Sequence, residues 1–118
     1  MQALSGNVEA HSDADLRLAY VELLYETGRP EDALKRVDDF IAAAPKVPMA
    51  HFWRAKVLLQ LRRIDEAAKA AEESIRLLPD LPEAHNLLIR IYQMQGRSTE
   101  AAQQADWVRE YERRMQAR

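Results

Sequence analysis

The sequence predicts an all-α array of three helix-turn-helix units, and three observations carry that prediction. The phrase "GRPEDALKRV" at residues 28–37 returns as "RRIDEAAKAA" from Arg62 and as "GRSTEAAQQA" from Gly96, a constant step of 34 residues. Apolar residues between the copies fall three and four apart, the spacing of one helical face. Glycine and proline punctuate the pattern where helices would stop and start. The register holds outside the phrase, since Pro45 maps to Pro79, Pro48 to Pro82, Ala50 to Ala84, His51 to His85, Leu24 to Leu58 and Ile41 to Ile75.

In chain order, residues 1–12 form an N-terminal segment expected to be flexible or to fold back, with Leu4 and Val8 the large apolar residues available to cover the first unit. Residues 13–118 form one domain, with repeats at about 14–47, 48–81 and 82–115. The first helix follows Leu16, Ala19, Tyr20, Leu23 and Leu24, and Gly28 stops it, because glycine reaches positive φ without a Cβ clash. Pro30 suits the first turn of the second helix, where a missing N–H is not needed. That helix runs through Ala33, Leu34, Val37, Phe40, Ile41 and Ala44 to Pro45, and Pro48 opens the next unit. Asp80 with Glu83 has the form of a capping box before the fifth helix. Ser98 is the expected cap of the sixth. Alanine at 33, 67 and 101 marks close helix crossings that a larger side chain would overpack. The last helix runs on through "QADWVREYERRMQAR", and its late arginines suit the negative end of the helix dipole. Positions on the second helices lose apolar character in the third unit, where Ile75 becomes Arg109 and Leu78 becomes Glu112, so the array is expected to end there.

Composition narrows function. The chain has 118 residues, 47% hydrophobic and 31% charged, a globular balance. A net charge of -2, with both signs scattered, gives no strong field for nucleic acid. The absence of cysteine excludes disulfides and thiolate metal sites. The start lacks a basic and then apolar leader, and no apolar run suits a membrane helix. A cytoplasmic location is expected, or a periplasmic one if a signal sequence is missing from the chain. There is no glycine-rich phosphate loop, no HExxH and no nucleophile elbow, so neither catalysis nor a cofactor is expected.

The glycine-to-alanine stretches 28–33, 62–67 and 96–101, with the late prolines Pro45 and Pro79, resemble the tetratricopeptide repeat over about residues 14–115. Departures are Arg62 in place of the glycine, Pro30, Ile64 or Ser98 at the turn aromatic, and Arg17, His51 or His85 at the early tryptophan. The resemblance implies a right-handed superhelix whose first helices line a concave groove, and a protein-binding scaffold as function. In that frame the groove is lined by Leu18, Glu22 and Tyr25, then Met49, Phe52, Lys56 and Leu59, then Asn86, Arg90 and Gln93. Asp15, Glu26, Gln60, Glu83 and Met94 line it as well in that frame. A partner peptide or helix is the expected occupant, anchored by apolar side chains and oriented by Lys56 with Arg90. The alternative is a solvated face in which Phe52 and Leu59 pack sideways.

Family members that grip the terminal carboxylates of chaperones carry a set of lysines, asparagines and arginine. Its positions here hold Leu18, Glu22, Lys56, Glu83 and Leu87, so that clamp is not expected. Acidic residues along the groove also argue against an RNA-reading relative. His51 and His85, at equivalent places, either pack or share a metal, and packing is favoured because a metal would need further ligands and only carboxylates such as Glu83 or Asp80 lie near in sequence. Trp107, Tyr111 and Met115 form a stripe on the last helix, which either covers the third unit or offers a docking patch. Self-association, or assembly as a structural subunit through the terminal repeats, is the second reading of function.

Overall fold

The computed structural model describes residues 2–117, with side chains described from residue 13 onward. Six helices follow one another: α1 (Gln2–Glu26), α2 (Pro30–Ala43), α3 (Pro48–Gln60), α4 (Ile64–Leu77), α5 (Pro82–Met94) and α6 (Ser98–Gln116). No strand occurs among the described residues. The helices pair as three hairpins, and each hairpin stacks on the next to make an all-α solenoid of 52 × 39 × 24 Å. α1 begins well before Leu16, with no proline before Pro30 to stop it. The expected cover by Leu4 and Val8 falls outside the described side chains.

Each hairpin turns in the same way. Gly28 and Gly96 have φ of 76° and 73°, and the residue after each donates its N–H five positions back, from Arg29 to Leu24 and from Arg97 to Tyr92. This is the Schellman closure. Arg62 makes the same turn at φ 64°, with Arg63 N–H donating to the Leu58 carbonyl at 2.9 Å. A side chain at that φ costs about 1 kcal/mol relative to glycine, because its Cβ crowds the backbone.

The helix starts correct two expectations. Pro30, Pro48 and Pro82 stand in the first turns as expected, but Leu81 occupies the N-cap before Pro82 and no side chain caps it. The Asp80/Glu83 capping box therefore does not form, because the proline sets the helix start one residue too late for Asp80 to cap it. Ser98 does not cap α6 either; Arg97 is the N-cap and Ser98 is already helical. A repeated ion pair stands there instead. Arg29, Arg63 and Arg97 each reach forward three residues, to Asp32, Glu66 and Glu100, at 2.6, 2.7 and 3.2 Å. Those carboxylates sit in the first helical turn, where the dipole favours them.

Two buried clusters straddle the unit boundaries. Ala50 and Val57 of α3 join Val21, Leu24, Val37 and Phe40 of the first unit. Phe52, Ala55, Leu58 and Leu59 of the same helix join α4 and α5. Ala33, Ala67 and Ala101 are all buried, as close crossings require.

Candidate functional site

The first helices α1, α3 and α5 share one face of the stack, and two depressions lie along it. The larger, about 310 Å³, is bordered by Tyr25 of α1, Lys56, Leu59 and Gln60 of α3, Arg62 of the following turn, and Leu87, Arg90 and Met94 of α5. The second, about 270 Å³, is bordered by Phe52, Lys56, Glu83, Asn86, Leu87 and Arg90. Lys56, Leu87 and Arg90 belong to both.

Of the residues expected to line the groove, Tyr25, Phe52, Lys56, Leu59, Gln60, Glu83, Asn86, Arg90 and Met94 border one or both depressions. Asp15, Leu18, Glu22, Glu26, Met49 and Gln93 border neither depression, and Leu18 and Met49 pack instead against the buried clusters. Phe52 and Leu59 need a correction of role. Both are buried, at 7% exposure, so they form the floor and are not anchors free to be gripped. The apolar surface in reach is the half-buried Tyr25 and the exposed Met94. Arg62 was not read as part of this site, and Leu87 was read only as a position of the carboxylate clamp that is not expected. Trp53 borders neither depression but packs behind them, edge-on to Tyr25 at 5.8 Å and to Phe52 at 5.6 Å.

Lys56 is held by those rings. Its Nζ lies 5.0 Å from the Tyr25 centroid, 5.0 Å from Trp53 and 5.7 Å from Phe52, a cation over three aromatic faces. Gln60 closes the α1 end of the groove by donating to the Tyr25 carbonyl at 3.2 Å. Among the described residues, Lys56 and Arg90 make no ion pair, and Glu83 in the second depression is the one carboxylate on either border. Beside the groove, Tyr92 ties the second and third units together. Its hydroxyl donates to Glu72 at 2.6 Å, and the Arg97 guanidinium lies 4.4 Å over its ring. Burial, with the Glu72 bond and charge, pushes the Tyr92 hydroxyl up to about 12.

The histidines pack, each in the same way. His51 Nε2–H donates to the Pro45 carbonyl at 2.7 Å, and His85 Nε2–H to the Pro79 carbonyl at 2.8 Å. His85 also meets the Gln104 side-chain amide through Nδ1 at 2.5 Å. No group of three metal-ligating side chains occurs among the described residues. Trp107 stacks on the His85 ring at 3.6 Å, and Tyr111 stacks on Trp107 at 5.1 Å. The stripe thus begins as cover for α5 and runs outward to the exposed Met115.

No helix among the described residues is long and apolar enough to cross a membrane. The family model for the tetratricopeptide repeat matches residues 18–82 and 62–113. No curated protein matches the sequence. Solved structures of MamA share the fold. One, MamA 41-end from Desulfovibrio magneticus RS-1, is 20% identical with a TM-score of 0.78, over 82% of this chain and 55% of that one. The MamA RS-1 ArsTM double mutant is 18% identical with a TM-score of 0.84, over 89% and 59%. A third, MamA MSR-1 C2, is 18% identical with a TM-score of 0.76, over 96% and 66%. This chain spans little more than half the length of the first two.

Proposed function

This chain belongs to the tetratricopeptide repeat family, and on that premise we propose that it is a protein-interaction module that takes a peptide or helix of a partner in its concave groove. Tyr25 and Met94 supply apolar contact over the floor of Phe52, Leu59 and Leu87. Lys56 and Arg90 hold an acidic side chain of the partner through charge-assisted hydrogen bonds. The observation that carries this reading is that these two cations, on neighbouring units, border both depressions and make no ion pair among the described residues. Binding in this reading involves no catalytic step and no cofactor.

The test is selection from a displayed peptide library. The expected result is enrichment of peptides with an acid beside an apolar residue, lost in a Lys56→Glu, Arg90→Glu double variant of unchanged helicity. No enrichment, or enrichment indifferent to the double variant, would overturn the groove reading.

A second reading, assembly through the open first unit, is favoured by a separate observation. Leu16, Tyr20 and Leu23 of α1 are 65%, 41% and 52% exposed. On α3 and α5 the matching face packs on a preceding second helix, and in this reading a helix of another chain does the same for α1. Sedimentation of wild type beside Leu23→Glu checks it. A mass that rises with concentration only in wild type supports assembly, and identical monomers at high concentration remove it.

A further inference from the structure

The three hairpin turns differ at one position. Gly28 and Gly96 hold the left-handed residue of the first and third turns, and Arg62 holds it in the second at φ 64° with the same hydrogen bonds. The backbone would be better served by glycine. Nothing among the described residues compensates, since the Arg62 side chain makes no hydrogen bond or ion pair with them and is exposed. What it does is border the larger depression together with Lys56 and Arg90. That border carries three cations and no carboxylate.

Resting on the groove reading above, we infer that this depression takes a segment with two neighbouring acidic side chains, and that Arg62 is the residue that selects for the second. One carboxylate between Lys56 and Arg90 leaves the Arg62 guanidinium facing the depression without a counter-charge. A second carboxylate, two residues on in an extended segment or three to four on in a helix, lies on the same side of the ligand and meets it. Strain held at a binding surface is the pattern expected when a side chain is kept for contact and not for the turn.

The test uses peptides selected on the wild-type protein, each made with two, one or no acidic residues, and three variants. Arg62→Gly relieves the turn and removes the charge, Arg62→Ala removes the charge alone, and Arg62→Lys keeps a charge in the strained turn. Gly and Ala are both expected to bind the doubly acidic peptide about tenfold more weakly and the singly acidic one unchanged, with Lys within about threefold of wild type. Arg62→Gly is also expected to melt a few degrees higher. Selected peptides bearing a single acid, with Arg62→Gly binding them as wild type does, would overturn this inference and leave the groove reading standing. A loss in Arg62→Gly that Arg62→Ala does not share would assign the effect to the turn and overturn it too. Competition by a random single-stranded oligonucleotide as strong as the doubly acidic peptide would reduce the site to general anion attraction. Failure of the library to yield any peptide removes both readings.

Discussion

The outer face of α1 and the matching faces of α3 and α5 occupy the same register in different company. Ala50 and Val57 on α3, and Ala84, Leu88 and Ile91 on α5, are buried against the preceding second helix. Leu16, Tyr20 and Leu23 on α1 remain exposed, and the Arg36 guanidinium lies 4.9 Å over the Tyr20 ring. In a stacked array a residue's worth is therefore set by its neighbour and not by its own helix.

That comparison is open to measurement, beginning with its largest consequence. Ile91→Ala is expected to cost about 3 kcal/mol in urea unfolding, while Leu23→Ala at the matching place costs less than about 1 kcal/mol. Equal costs would mean that this face of α1 is already covered in solution. Ala67→Leu at a hairpin crossing should cost about 2 kcal/mol by overpacking. A neutral result there would show the middle crossing to be looser than its buried alanine implies. Tyr92→Phe, at the junction of the second and third units, is expected to cost about 1 kcal/mol. The folded state holds this hydroxyl up to about 12 against an ordinary value of 10.0. Its stabilisation is complete below pH 10 and lost as pH rises towards 12. Phenylalanine should flatten that alkaline limb, and an unchanged limb would place the loss elsewhere. The smallest effect is Leu23→Glu, expected to move monomer stability by no more than about 0.5 kcal/mol.

Much of the fold was legible because turns and crossings depend on single residues that recur: Gly28 and Gly96, the three helix-opening prolines, and alanine at 33, 67 and 101. The helix caps were not, because Asp80 and Ser98 each have the right chemistry one place away from the true cap. A shift of one residue is invisible to composition and decided by where the helix begins. Groove membership followed from register, but depth did not. Phe52 and Tyr25 look alike as apolar groove positions, yet α3 has neighbours on both sides and sinks Phe52, while α1 leaves Tyr25 half open. Arg62 was read as a missing glycine. The signal lay in asking what the replacement reaches.

The histidine contacts carry a consequence for how such a chain can grow. Each imidazole fastens the carbonyl of a proline six residues before it, so donor and acceptor lie on opposite sides of a unit boundary. Both recur with the 34-residue period. Copying residues 48–81 in tandem would place Pro79 six residues ahead of the copied His51, and the new joint would arrive with its fastener already in place. An array of this kind lengthens by duplication without inventing a linker.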